Sequence, residues 1–168
     1  MEMNTAATIA WLGGHNGGEE SLCVFVTVAA GLLAWQAIQE RMRTKRIRRF
    51  AENESLAYIG STMPVTLPLQ RTRAFASARS LRRAVVGSNG DKELVLVDCT
   101  IRQGLTGGRR TIVSMRGLHD GFGRAPYKPD FSTEQLDEWS VVYSSNRYMS
   151  LEEIDALVAA FSGPEAHS

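Results

Sequence analysis

The most constraining feature of the sequence is an uncharged stretch that ends at a cluster of basic residues. Residues 22–38, LCVFVTVAAGLLAWQAI, carry no charge, and QERMRTKRIRR follows them at residues 39–49. As a helix, the stretch would span roughly 25 Å, slightly less than the hydrocarbon core of a bilayer, which is roughly 30 Å thick. Extension to Ser21 and Gln39, with Arg41 and Arg43 reaching the head groups, closes that gap. The stretch therefore predicts a transmembrane helix at residues 21–39.

The basic residues beside this stretch predict its orientation. Residues 1–40 contain no Lys or Arg, whereas the next segment contains six cations: Arg41, Arg43, Lys45, Arg46, Arg48 and Arg49. Positive residues favour the cytoplasmic side of a membrane. The C-terminal part of the chain is therefore predicted to lie in the cytoplasm, anchored to the inner membrane. The same six cations are expected to bind the anionic membrane surface.

Two other interpretations of the stretch fit less well. A cleavable secretion signal carries its positive charge before the apolar run, and here the charge follows it. A core helix of a soluble domain normally has one polar face, which these residues lack. An anchor is the better interpretation.

The rest of the chain is long enough for one further domain. About 120 residues follow the predicted anchor, which is typical of one domain with a modest core. We expect a disordered segment at 1–20, the transmembrane helix at 21–39, a basic helix continuing from the membrane at 40–55, an α+β domain at 56–162 and a flexible tail at 163–168. Cys23 and Cys99 offer no disulfide framework, in keeping with a cytoplasmic domain.

The strongest local pattern in the domain is a β-hairpin at residues 81–101, LRRAVVGSNGDKELVLVDCTI. Asn89 and Gly90 tolerate the positive φ angles of a two-residue turn, and strand-forming residues flank them. With that turn, the expected cross-strand pairs are Leu81 with Asp98, Arg83 with Leu96, and Val85 with Leu94. Further strands are predicted at LAYIG (56–60), RRTIVSMRG (109–117) and EWSVVYS (138–144).

Two capping boxes predict helix starts. Ser150 with Glu153 precedes an apolar pattern of helical period in SLEEIDALVAAF, residues 150–161. Ser132 with Gln135 predicts a shorter helical turn. The predicted fold class is α+β, in which an N-terminal transmembrane helix precedes a small domain. That domain has an antiparallel sheet of about four or more strands and a C-terminal helix packed on it.

Few residues suggest catalysis. Cys99, His119 and Asp120 are the candidates for a thiol nucleophile with a base and an orienting acid, and the function they would support is that of a small membrane-anchored hydrolase. Strand alternation places Cys99 on the face of Val95 and Val97, however, where a buried inert thiol is expected. No histidine has ligand spacing from another His or Cys, so we expect neither a metal site nor a cofactor.

Asp98 is an unusual residue in this hairpin, because alternation places it on the apolar face of Leu94 and Leu96. A buried carboxylate needs a partner. Arg83 lies diagonally across the hairpin in the expected register. We therefore expect a structural ion pair between Arg83 and Asp98 rather than an active-site acid.

Charge is distributed unevenly along the domain. Residues 71–117 contain ten Lys and Arg against three acids, and residues 118–168 contain three Lys and Arg against nine acids. Packing of the two parts against each other would pair many of these charges. The alternative is a one-sided basic surface that faces anionic lipid or nucleic acid. Nucleic acid is not the expected partner, because no nucleic-acid motif accompanies these residues.

The segments VVGSNGDKELVLVDCTIRQG and RRTIVSMRG, together with EWSVVY and SLEEIDALV, resemble uncharacterised bacterial membrane-anchored proteins. In these proteins an N-terminal helix precedes a small domain with a glycine-aspartate hairpin. The resemblance extends over residues 22–161 and implies a single-pass inner-membrane protein. It brings no catalytic residues to this chain.

The expected function is therefore that of a non-enzymatic cytoplasmic domain tethered to the bilayer. Its expected partner is the membrane surface or an unidentified protein. Thr27 with Gly31, and Ala30 with Ala34, have the small-residue spacing that lets transmembrane helices approach closely. This spacing favours a weak homodimer through the transmembrane helix.

Overall fold

The computed structural model describes residues 18–62, 69–89, 92–102, 107–117 and 129–162. The chain divides into two units, Met1–Arg43 and Thr44–Ser168. His119 and Asp120 lie outside the described residues, as do residues 1–17 and the expected tail at 163–168.

A single helix forms the described part of the first unit. Helix α1 runs from Gly18 to Asn53, so residues 18–20, which were expected to be disordered, are helical. The apolar side chains of its first turns are exposed, and Phe25, Leu33 and Trp35 have 68%, 68% and 61% of their surface accessible. Among the described residues, α1 is the one helix long and apolar enough to cross a membrane, judged by length and composition.

The second unit contains the last turns of α1, a sheet and two further helices. After α1 come strand β1 (Ala57–Gly60), a 3₁₀ turn (Leu69–Arg71) and the short helix α2 (Arg73–Ala76). Five strands follow: β2 (Ala78–Asn89), β3 (Lys92–Ile101), β4 (Gly108–Arg116), β5 (Phe131–Leu136) and β6 (Trp139–Ser144). Helix α3 (Leu151–Ser162) ends the described chain.

The strands form one six-stranded sheet in the order β1-β2-β3-β4-β6-β5. Every neighbouring pair is antiparallel. The predicted α+β class, with an apolar N-terminal helix, an antiparallel sheet and a C-terminal helix, is confirmed.

Both faces of the sheet are buried, which explains the nearly continuous apolar run of the central strand β3. On one face, which we call the helix face, strand residues such as Leu96 and Val113 pack with Ile154 and Leu157 of α3. On the opposite face, Val97 and Ile112 belong to a second cluster that includes Leu69 and Phe75 from the 3₁₀ turn and α2. The sheet therefore separates two hydrophobic cores.

The basic segment of α1 contributes to the first of these cores. Ile47, Phe50 and Ala51 are buried in the helix-face cluster, and their spacing of three and four residues places them on one side of the helix. These residues belong to the segment 40–55, which the sequence pattern assigned to a basic helix preceding the domain. The apolar spacing inside KRIRRFAEN is the signal that points to their burial.

The register of the β2–β3 hairpin differs from the predicted one by two residues. Asn89 pairs with Lys92, so it belongs to the strand and not to the turn. Arg83 consequently lies directly opposite Asp98 instead of opposite Leu96. A shift of two residues keeps the side chains from Arg83 to Ser88 on their predicted faces, and it exchanges an unfavourable pairing of Arg83 with an apolar residue for a pairing of opposite charges. The irregular pairing between Leu81 and Arg83 moves Leu81, which was expected on the face of Arg83 and Val85, to the cluster on the opposite face.

One capping box is present and the other is not. The Ser150 backbone N–H donates to Glu153 Oε2 (2.8 Å), and the Glu153 N–H donates to Ser150 Oγ (3.2 Å). Ser132 and Gln135, by contrast, lie within strand β5, so the predicted helical turn is wrong. A strand forms there instead of a helical turn because its residues pair along β6, from Phe131 with Ser144 to Leu136 with Trp139.

Candidate functional site

Four cations of α1 form a basic stripe on the surface of the second unit. They are all exposed: Lys45, Arg46, Arg48 and Arg49. An α-helix turns by about 100° per residue, so Lys45 and Arg49 lie one above the other. The same rotation directs them away from the side on which Ile47 and Phe50 enter the core. Lys45 and Arg49 therefore lie on the solvent side of an amphipathic helix segment, with Arg46 and Arg48 on its flanks, and the apolar side of this segment is already buried.

Two of the six predicted cations lie outside the stripe, and one cation within it contacts an aromatic ring. Arg41 is exposed and Arg43 is half-buried, and both belong to the first unit. The Arg48 guanidinium lies 5.1 Å from the centre of the Tyr58 ring, a cation–π contact with strand β1. Arg48 is thereby held against the domain.

The Arg83–Asp98 ion pair is present and almost fully buried. Arg83 Nη1 lies 3.3 Å from Asp98 Oδ2, and the two side chains are 2% and 0% exposed. The Thr111 hydroxyl donates to the other carboxylate oxygen, Asp98 Oδ1 (2.5 Å), and accepts the Met149 N–H (3.1 Å). The Arg83 guanidinium also lies 5.0 Å from the Tyr148 ring centre. Because the pair is enclosed on all sides, its role is to join strands β2, β3 and β4 to the chain preceding α3.

The partners of this pair could not be found from the hairpin pattern alone. Thr111 and Tyr148 lie on other strands and loops, and only the pairing of β3 with β4 brings Thr111 opposite Asp98.

A second charged cluster is centred on Arg147, next to Tyr148 in the chain. Arg147 donates to Asp130 Oδ2 (2.6 Å) and to both oxygens of Glu153 (2.7 and 2.8 Å). Hydrogen bonds to Glu153 and Asp130 raise the pKa of Arg147. The Glu153 carboxylate therefore serves as cap and ion-pair partner together.

Cys99 is placed as a core residue. It is fully buried in the opposite-face cluster with Val95 and Val97. Burial raises the pKa of its thiol from 9.0 to about 12, although the nearby positive charge of Arg110 opposes that shift. Since the thiolate is the nucleophilic form of cysteine, this thiol is chemically inert near neutral pH. His119 and Asp120 lie outside the described residues, so their distance from Cys99 is not described.

A cavity of about 390 Å³ lies between the end of α1, the β2–β3 hairpin and α3. Leu56, Leu94 and Met115 line its apolar part, and Glu54 and Glu93 contribute carboxylates. A Cβ atom at Gly87 would lie 2.0 Å from Leu56 Cδ2, so a larger residue there would displace the Leu56 side chain. The volume suits a small ligand, but its described lining contains no histidine, cysteine or other nucleophile–base arrangement.

Metal chemistry has no support among the residues that the structure describes. No group of three or more His, Cys, Asp or Glu side chains within them is arranged to hold a metal ion.

Comparisons with known proteins add no further assignment. No protein-family model matches the chain, and neither a curated protein nor a solved structure matches it significantly. The features of the molecule that bear on function are the exposed apolar helix, the basic stripe and the surface of the second unit.

Proposed function

We propose that the chain is a single-span inner-membrane protein whose second unit is a non-enzymatic module, held in the cytoplasm and bound to the anionic membrane surface through the basic stripe. The observation that carries this proposal is the exposure of the apolar side chains of α1, followed along the same helix by exposed cations.

The apolar surface of α1 supports insertion into a bilayer. Large hydrophobic side chains from Leu22 to Ile38 are exposed, and none of the apolar window is buried within the molecule. Burial of a side chain such as Leu or Phe is worth about 1.5–3 kcal/mol, so leaving the whole series in water is strongly unfavourable. A core helix of a soluble protein would be mostly buried, and this helix is not. A bilayer supplies the missing apolar surroundings.

The charges on either side of this apolar segment support the orientation. All of the cations near it lie on its C-terminal side, and residues 1–40 contain none. Lys and Arg next to a membrane helix are retained on the cytoplasmic side. We therefore assign the second unit, which contains four of these six cations, to the cytoplasm.

The position of the basic stripe supports binding to the membrane surface. All four of its cations are exposed, with Lys45 and Arg49 on the side of α1 opposite the core residues and Arg46 and Arg48 on its flanks. A Lys or Arg close to an anionic leaflet contributes about 1 kcal/mol, and this contribution falls off within a Debye length of the surface. The stripe is accessible to such a surface without any rearrangement of the core.

Membrane integration is tested by washing membranes that contain the full-length chain with alkaline carbonate and with high salt. We expect the wild type and the triple variant Arg46→Glu, Arg48→Glu, Arg49→Glu to stay in the membrane, because the apolar segment is intact in both. The matched variant Leu32→Arg, Leu33→Arg should be released, since each Arg near the centre of a span costs about 2.5–3.5 kcal/mol. Release of the wild type by carbonate would reject the anchor.

Surface binding is tested by acetylation of lysines in the full-length chain, reconstituted in neutral or anionic nanodiscs. Lys45 lies in the basic stripe, and Lys92, on the β2–β3 hairpin, serves as the internal reference. Relative to Lys92, Lys45 should react more slowly in anionic discs at low salt, and the difference should disappear at high salt. Equal reaction of Lys45 in both discs would show that the cations set orientation alone, and a protein partner would replace the membrane surface as the ligand of the second unit.

A further inference from the structure

The first half of strand β2 departs from regular pairing at two places, and the residue left over at each place is an exposed arginine. Leu81 pairs with Cys99 and Arg83 with Asp98, which leaves Arg82 without a Cα partner in β3. Ala78 pairs with Ile101 and Ser80 with Thr100, which leaves Arg79 in the same position. A β-bulge of this kind changes the direction of the extra side chain. Both arginines are exposed.

The neighbouring strands bring two more arginines to this end of the sheet. Arg102 directly follows β3, and its backbone N–H donates to the Ser77 carbonyl just before β2 (3.3 Å). Arg109 lies at the start of β4, where it pairs with Thr100. Both are exposed. We call these four residues the arginine end: Arg79, Arg82, Arg102 and Arg109.

Among the residues that the structure describes, little acidic charge lies beside the arginine end. The nearest carboxylate in the strand pairing is Asp98, which is fully buried and bound to Arg83 and Thr111. Arg79, Arg82 and Arg102 form no ion pair with any residue that the structure describes. Exposed like charges on adjacent strand ends repel one another, so an anion that contacts several of them relieves that repulsion.

The side chains at this end favour a ligand recognised through its phosphates. All four cations are arginines, whose planar guanidinium groups bind phosphate oxygens in pairs. Proteins that bind single-stranded nucleic acid add open aromatic rings on which bases stack. Two rings described near this end are already covered: Arg83 and Arg109 lie 5.0 and 5.6 Å from the centre of Tyr148, and Arg110 lies 4.6 Å from that of Tyr143.

We propose that the arginine end binds the phosphate groups of anionic phospholipids, as a second membrane contact separate from the basic stripe. This inference rests on the proposed anchor, because a tethered unit meets the bilayer at a high effective concentration and needs only weak contacts to stay on it. The contact would fix which part of the second unit faces the membrane and which part remains open to the cytoplasm.

The test uses the full-length chain in nanodiscs of neutral or anionic phospholipid that contain a quencher on some lipid head groups. A fluorophore is attached at Asn146→Cys in a Cys23→Ser background, where the buried Cys99 thiol is unreactive. Asn146 is exposed and lies two residues before Tyr148, whose ring centre is 5.6 Å from the Arg109 guanidinium, so the label lies near the arginine end. Quenching should be stronger in anionic discs than in neutral discs.

Two variants with the same change in charge separate the two surfaces. The variant Arg79→Gln, Arg82→Gln, Arg102→Gln should reduce quenching in anionic discs to the level seen in neutral discs. The loss of three arginine contacts lowers the equilibrium constant for binding to the anionic surface by about 100-fold. The control variant Lys45→Gln, Arg46→Gln, Arg49→Gln should keep most of the quenching. Unchanged circular dichroism confirms that each variant is folded.

Other results would overturn the proposal. Quenching that is equal in both discs, or that survives in the arginine-end variant and is lost in the control, would show that this surface does not bind lipid. Binding of a labelled oligonucleotide to the protein in neutral discs, lost in the arginine-end variant and without any effect of anionic lipid, would assign the surface to nucleic acid. A chain that does not enter nanodiscs at all would reject the proposed anchor itself, a failure distinct from the failure of the lipid contact.

Discussion

Arg83 and Asp98 face each other across strands β2 and β3, with Arg83 Nη1 3.3 Å from Asp98 Oδ2 and both side chains almost fully buried. Thr111 on β4 donates to the other carboxylate oxygen and accepts the Met149 N–H, so one carboxylate connects three strands to the segment that leads into α3. Removal of either charge would leave the other one desolvated and without its main partner.

We therefore expect the variant Arg83→Met to be destabilised by about 3 kcal/mol, because it leaves the Asp98 carboxylate buried without its cation. The double variant with Asp98→Leu should cost clearly less than the sum of the two single changes, since no uncompensated charge then remains. The measurement is urea unfolding of the full-length chain in detergent. Strictly additive effects in this double-mutant cycle would show that the two side chains do not interact.

The second prediction concerns the pH dependence that Cys99 confers. Burial raises the pKa of its thiol from 9.0 to about 12, so the folded state favours the neutral form. The resulting stability is fully present below about pH 9 and is lost as the pH rises towards about 12, by up to about 1.4 kcal/mol per pH unit. The variant Cys99→Val removes this dependence while retaining a similar volume.

Urea unfolding at pH 8 and pH 10.5 checks this prediction. The wild type should lose more stability between the two pH values than the variant Cys99→Val, since other groups titrate equally in both. At pH 8, a thiol reagent should label Cys99 only as fast as the protein unfolds. Rapid labelling of the folded protein would instead make Cys99 accessible and would restore it as a candidate nucleophile.

The third prediction distinguishes the two roles of Glu153. Ser150→Ala removes only the cap of α3 and should cost about 1 kcal/mol. Glu153→Ala removes the reciprocal bond to the Ser150 N–H and both bonds from Arg147, so it should cost more than Ser150→Ala. Urea unfolding of the two variants gives the comparison. Equal losses would mean that the Arg147–Glu153 pair, whose arginine is 41% exposed, contributes nothing measurable.

The elements of the fold that depend on local sequence could be predicted from it. The alternation of apolar residues around Leu94 and Leu96 identified the strand and its two faces, and the pattern from Ser150 to Glu153 identified the start of α3. The turn of the hairpin was misplaced by one residue because Asn89-Gly90 and the residues that follow it are all typical of turns. Pairing across the strands, including Arg83 with Asp98, decided the register.

The features that depend on distant contacts could not be predicted in the same way. Gln135 and Ser132 match a capping box, but they lie in β5 because β6 offers a complete strand partner. Glu134 on that strand accepts the Arg73 N–H at 3.0 and 2.9 Å, a contact between residues 61 positions apart. For the site, the run of cations in α1 was visible in the sequence, whereas the arginine end depends on two bulges in β2 that no local pattern indicates.

Two reporters fused after Ser168 test directly the proposal that α1 spans the membrane with the second unit on its cytoplasmic side. One reporter is a fluorescent protein that folds only in the cytoplasm, and the other is a phosphatase that is active only outside it. The six cations that follow the apolar segment predict fluorescence from the first fusion and no phosphatase activity from the second. Phosphatase activity without fluorescence, at equal levels of the two fusions, would show that the second unit lies outside the cytoplasm and would contradict the proposed orientation.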